Sequence, residues 1–208
     1  MKNEIKTIYK IIHEEKHGSL TQFSRLHIFK SILIIGDQNN IGRNALAITL
    51  SIGPGAIRTL IKKLQNIGLI HIQKTGISLS STGILMYKSF KKKIYFSKEM
   101  NVGNLSLGTC NHIILIRKIP RIFPSSLDLR DSAIRGGAKG AMFIHFNNNK
   151  FLIPQGPMNC EKDFPDDVWK KFRMELKLCD GDLIIISGSD NAHDAEYGAL
   201  SSVLNLFK

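Results

Sequence analysis

Gly42-Arg43-Asn44-Ala45-Leu46-Ala47-Ile48-Thr49-Leu50-Ser51-Ile52-Gly53-Pro54-Gly55-Ala56-Ile57-Arg58-Thr59-Leu60-Ile61-Lys62-Lys63-Leu64 is the segment on which the reading of this chain turns. It predicts two short helices joined by a tight Ile52-Gly53 turn. Pro54 takes the first position of the second helix, where its missing N–H costs nothing. In that second helix Ile57, Leu60, Ile61 and Leu64 recur at helical spacing and form one apolar stripe to be buried. Gly55, Arg58, Thr59 and Lys62 share the opposite face. A face of small, cationic and hydroxyl groups suits a helix lying in the major groove of double-stranded DNA.

The flanking sequence extends the pattern. Downstream, Ile70-His71-Ile72-Gln73-Lys74 alternates apolar and polar residues, Thr75-Gly76 marks a turn, and Ile77-Ser78-Leu79-Ser80 alternates again. This predicts a two-stranded hairpin with Lys74 near its tip. Upstream, Phe23, Leu26, Ile28, Phe29, Ile32 and Leu33 give a first helix with a broad apolar face. The order of helix, helix, recognition helix and hairpin over roughly residues 20–96 resembles the winged helix-turn-helix domains of prokaryotic transcription regulators. The resemblance implies that Arg58, Thr59 and Lys62 face base edges and phosphates, with Gly55 on the same face. It also implies that Arg43, Asn44 and Lys63 meet the DNA backbone and that Lys74 acts from the wing.

Charge agrees with this reading. The chain holds 29 Lys and Arg against 17 Asp and Glu, a formal net charge of +12. Residues 1–110 carry 16 basic and 5 acidic side chains, whereas residues 111–208 carry 13 and 12. A basic half joined to a nearly neutral one is the footprint of a nucleic-acid binder with a separate second module. The basic residues are scattered over a folded pattern instead of one amphipathic stripe, which argues against a membrane-surface role.

Length and composition bound the remaining classes. A chain of 208 residues that is 43% hydrophobic can bury one good core or two small ones. Cys110, Cys160 and Cys179 are odd in number and lack CxxC spacing, so neither a disulfide framework nor a zinc site is expected; each reads as small apolar filler. The first residues lead into no apolar signal core, and the longest apolar runs, of which Ile32-Leu33-Ile34-Ile35 is one, are far too short to span a bilayer. The expectation is a soluble cytoplasmic protein without membrane partners.

The expected organisation has three parts: residues 1–96 as the winged helix-turn-helix domain with flanking helices, 97–110 as a linker, and 111–208 as an α/β domain for assembly or effector binding. Residues 1–19 suggest a short helix with Ile5, Ile8, Tyr9 and Ile12 on one side. A helix from Thr82 to about Phe96, apolar at Ile84, Leu85, Tyr87 and Phe90, is the candidate subunit contact; its Lys91-Lys92-Lys93 run reads as a solvated face or a phosphate contact. The linker is rich in Ser, Asn, Gly and Thr.

In the second half, Ile113-Ile114-Leu115-Ile116 and Leu183-Ile184-Ile185-Ile186 read as buried strands. Ala141–Phe146 and Lys150–Ile153 flank Asn147-Asn148-Asn149 as a hairpin. Helices follow Ser125 or Ser126, span Pro165–Leu178, and close the chain from Ala192 to Phe207. The expected fold class is therefore α/β (α+β), with a ferredoxin-like β-α-β-β-α-β-α module after the winged helix. In architecture this is similar to feast/famine-type regulators, whose second domain assembles subunits and senses small molecules. The segments 130–141 and 181–188 resemble those of uncharacterised archaeal winged-helix proteins with a C-terminal α/β domain.

Two loops of the second half are candidate ligand sites. Gly137 and Lys139 lie in a Gly-rich stretch that lacks the P-loop and dinucleotide patterns and reads as a helix C-cap. Ser187, Ser189, Asp190 and Asn191 lead from a strand into a helix, where an N-terminus can receive an anion, and where Asp190 or Asn191 as a plain N-cap serves equally. Asp190, His193 and Asp194 can converge on one turn, but acidic residues there are expected from the helix dipole alone, so no metal is expected. No Ser/His/Asp or Cys/His set can be assembled, and no cofactor or enzymatic activity is expected. The reading is a sequence-specific, homodimeric transcription regulator with room for a small-molecule effector. The alternatives are an enzyme carrying a regulatory DNA-binding module and a non-specific chromosomal protein.

Overall fold

The computed structural model describes residues 1, 3–4, 6–7, 23–119, 125–154 and 159–208. The helix expected within residues 1–19 falls mostly outside them. Two compact units emerge, Met1–Lys91 and Lys92–Lys208.

In the first unit α1 (Arg25–Gln38) starts at Ser24, whose backbone N–H donates to the His27 ring in a reciprocal cap. It buries Ile28, Phe29, Ile32 and Ile35, and Phe29 meets Phe90 edge-to-face at 4.7 Å. α2 (Arg43–Leu50) and α3 (Pro54–Asn66) have axes at 110°, inside the usual range for a helix-turn-helix. In the turn between them Ser51 takes the left-handed conformation (φ 55°), while Gly53 is extended. α3 folds as its stripe predicts: Ile57, Leu60, Ile61 and Leu64 are buried, and Gly55, Arg58, Thr59 and Lys62 are exposed.

β1 (Ile70–Gln73) and β2 (Gly76–Leu79) pair antiparallel, with Gln73 opposite Gly76. The two connecting residues are Lys74 and Thr75, one position before the expected turn, which sets Lys74 at the tip itself. The hairpin has a third edge that alternation did not reveal. Ile41 exchanges two backbone hydrogen bonds with Ile77, at 3.0 and 2.9 Å, and the Asn40 amide donates to the Thr75 carbonyl at 3.1 Å. Ser80 then locks the hairpin to α4 (Ser81–Lys93): its hydroxyl donates to the Gly68 carbonyl and accepts from the Gly83 N–H. At Gly83 the backbone passes so close to the Leu69 carbonyl oxygen that any side chain would collide with it.

The second unit opens on a strand where helix and linker were expected. α4 stops at Lys93, and β3 (Ile94–Glu99) pairs antiparallel with β4 (Cys110–Ile116). The remaining expected linker residues include a short 3-10 turn at Gly103–Leu105. The cause is non-local: the buried edge of β4 needs partners for its backbone polar groups. α5 (Ser126–Arg135), β5 (Gly140–Asn147), β6 (Lys150–Leu152), α6 (Cys160–Asp163), α7 (Val168–Glu175), β7 (Asp182–Ser189) and α8 (Ala192–Leu206) follow. The expected element order is present with α6 added.

The ferredoxin-like arrangement itself is not. That arrangement inserts β6 between β4 and β5, whereas the sheet runs β3-β4-β7-β5-β6 with every pairing antiparallel. β7 therefore fills the gap. Every residue of it is buried, as a central strand covered on both faces requires, while the short β6 with exposed Lys150 suits an edge. α5 and α8 pack on one face of the sheet. α7 covers the other with Trp169 and Phe172 over Ile113, Leu115, Ile144, Ile184 and Ile186. Asp182, fully buried at the start of β7, pairs with Arg117 and accepts from the Lys118 and Cys179 N–H groups. Of the cysteines only Cys160 is core filler; Cys110 is half-buried and Cys179 exposed. Among the described residues no single helix is long and apolar enough to cross a membrane.

Candidate nucleic-acid interface

α3 and the wing enclose a groove of about 390 Å³. Arg43 enters it from the first turn of α2, Arg58 and Lys62 from α3, and Lys74 from the wing tip, so three elements bring four of the expected cations to one place. Gln65, Gln73 and Ile72 are among its other walls. None of these three was singled out from the sequence, although Gln65 stands one turn beyond Lys62 on the same helical face. The groove lies in a run of strongly one-sided charge. From residue 38 to residue 98 the chain carries ten Lys and Arg and no Asp or Glu. A stretch of sequence with this excess of cations over carboxylates contributes a field that attracts a polyanion.

The remaining residues expected at the interface take distinct positions. Asn44 lies with Arg43 and Arg58 on a second depression, between α2 and the start of α3. Gly55 is exposed with open space where a side chain would project. Thr59 is exposed, but its hydroxyl donates to the Gly55 carbonyl at 3.1 Å, so its proton is used inside the helix. Lys63 is half-buried and lines neither depression. The lysine run of α4 is partly committed elsewhere. Lys91 pairs with Asp37 at 3.2 Å, and Lys93 donates to the Arg117 and Lys118 carbonyls. Burial, and then the bond from its hydroxyl to Asp37, push the neighbouring Tyr87 phenol up to about 12.

In the second unit the two candidate ligand loops do meet, because Gly140 stands opposite Gly188 in the sheet. Their polar groups largely serve one another. Lys139 forms an ion pair with Asp190 at 2.6 Å, its N–H donates to the Gly188 carbonyl, and the Ser189 hydroxyl bonds to the Gly137 carbonyl. Asn191 is the N-cap of α8, its side-chain oxygen accepting from the Asp194 N–H at 2.9 Å. Bonds from Asn191 and then from His193 hold the Asp194 carboxyl below its ordinary range. Ser187 is buried with its hydroxyl unpartnered. Among the described residues no three His, Cys, Asp or Glu side chains converge as metal ligands.

Comparison with known proteins matches each unit separately. Residues 32–85 match the family described as PH0730-like, N-terminal domain, and residues 107–206 match a domain of unknown function, DUF4443. Among solved structures, the hypothetical protein PH0730 from Pyrococcus horikoshii OT3 aligns over 88% of this chain and 92% of its own, at 22% identity and a TM-score of 0.69. The chain has the fold of PH0730. That likeness extends through both units, and the PH0730-like match lies inside the first of them. A MarR family protein of Mycobacterium tuberculosis, RV2887, aligns over 42% of this chain and 60% of its own at 17% identity, with a TM-score of 0.31. No curated protein matches the sequence.

Proposed function

We propose that this chain is a sequence-specific transcription regulator that binds double-stranded DNA as a homodimer, placing α3 in the major groove and the wing against the adjoining backbone. The observation that carries the reading is the convergence of Arg43, Arg58, Lys62 and Lys74 on one groove within a segment that has no acidic residue. Arg58 is the base reader, because guanine presents two acceptors that match its fork. Arg43, Lys62 and Lys74 hold phosphates and supply most of the affinity. For the dimer contact the support is α4, which exposes Ile84 and Leu85, the latter 69% accessible. The second unit serves assembly or small-molecule sensing. An effector acting through the 136–140 and 187–191 loops would have to displace the Lys139–Asp190 pair.

The test is selection of bound fragments from a random duplex pool by the purified chain at near-physiological salt. A palindromic motif with half-sites about one helical turn apart is the expected result. Retention of DNA without enrichment would refute sequence-specific regulation and leave a non-specific chromosomal role. Arg58→Ala sharpens the outcome: it should abolish enrichment while leaving non-specific retention largely intact.

A further inference from the structure

Among the described residues Ile48 is the most exposed large apolar side chain, at 78%. A single exposed isoleucine is unremarkable on an ordinary surface, but the setting of this one is not ordinary. With Ala47, Ile52 and Pro54 it lines a depression of about 610 Å³ whose other walls include Arg43 and Arg58. Both arginines also line the groove under the wing, so they border both depressions, and Ala47, Ile48, Ile52 and Pro54 give the second depression an apolar wall beside them. A polyanion gripped by the arginines meets that apolar wall beside them. On the major-groove edge of DNA the thymine C5 methyl is the group that fits, since guanine, adenine and cytosine present acceptors and donors there. Thr59 points the same way: its hydroxyl proton is spent on Gly55, which removes a donor from the reading face and leaves a methyl-bearing side chain.

We propose that Ile48 packs on a thymine methyl beside the base read by Arg58, so that the thymine methyl is a specificity determinant of this interface. The proposal rests on the DNA-binding reading above and names the chemistry that reading leaves open. Ile48→Ala removes only exposed atoms of a surface helix, so the variant keeps the fold, which an unchanged circular dichroism melt verifies.

Two random duplex pools separate the possibilities, one built with thymidine and one with deoxyuridine, which pairs identically and lacks only the methyl. The motif enriched by the full-length protein from the thymidine pool is then resynthesised with deoxyuridine. Wild type should lose about fourfold in affinity for each contacted methyl removed. Ile48→Ala should bind the thymidine duplex as wild type binds the deoxyuridine duplex, with no further loss on the latter. Equal wild-type affinity for the two duplexes overturns the thymine contact and leaves DNA recognition standing. A deoxyuridine penalty that persists in Ile48→Ala assigns the methyl to another side chain and also overturns the proposal. Retention of neither pool overturns the DNA-binding reading and this inference together.

Discussion

Lys74→Ala should flatten the salt dependence of DNA binding by a calculable amount. Arg43, Lys62 and Lys74 surround one groove with Arg58 among them, and Lys74 stands exposed at the turn of the hairpin, where its side chain supports no core. With Arg58 on a base and the other three on one phosphate each, counterion release gives a slope of log K against log salt of about −2.7 per protomer, or about −5.4 for a dimer. Removing Lys74 takes away one phosphate contact per protomer, so the dimer slope should fall in magnitude by about 1.8. Between roughly 50 and 200 mM salt the variant should therefore lose about twelvefold less affinity than wild type. Fluorescence anisotropy of a labelled duplex carrying the selected site, titrated at several salt concentrations, measures both slopes directly. Parallel lines for the two proteins would refute a phosphate contact by the wing. Arg58→Ala provides the contrast, with a nearly unchanged slope and a collapse in discrimination between sequences.

Three further outcomes follow from particular contacts. Two glycine substitutions should move stability in opposite directions: Gly83→Ala forces a side chain against the Leu69 carbonyl and should cost about 1–3 kcal/mol. Gly55→Ala, with open space around it, should gain about 0.5 kcal/mol by helix propensity yet weaken DNA binding; paired thermal melts and titrations read both effects. Asp182→Ala should destabilise the second unit by about 3 kcal/mol, because Arg117 and two backbone N–H groups lose a buried acceptor, and a urea midpoint that does not move would refute that role. Asp166 and Asp194 have carboxyls held below their ordinary range, Asp166 by the Val168 and Asn104 N–H groups and Asp194 by Asn191 and His193. Their contribution should be fully present above the ordinary carboxylate range and lost as pH falls through the depressed values, which carboxyl chemical shifts followed by NMR would report.

What the sequence made legible is what local spacing encodes. The α3 stripe, its exposed polar face and the pairing of the wing strands are all written within a few residues of one another, and so is the Asn-rich hairpin, whose Asn148 and Asn149 take positive φ. Ser125 caps α5 through its hydroxyl, as a serine ahead of an apolar helical pattern predicts. The features it concealed depend on distant partners. Ile94-Tyr95-Phe96 follows a lysine-rich helix without a break, and only the buried edge of β4 beside it makes it a strand. Ile41 is one residue of an irregular connection until Ile77 arrives beside it. The groove under the wing could not be read either, because Gln65, Gln73 and Ile72 come together only when α3 and the hairpin fold against each other.

The place of β7 in its sheet sets an order of events during synthesis. β4 and β5 have no direct ladder; each waits for residues 182–189 to be laid between them. Until those residues leave the ribosome, two apolar strand edges stay open. The first unit, complete by residue 91, can already have folded. The second must close its sheet late, through contacts far apart in sequence, which is the slow and aggregation-exposed way to fold. A chain stalled before residue 182 would carry a finished amino-terminal unit beside an unfinished one, and the cell's quality control would recognise it by the latter.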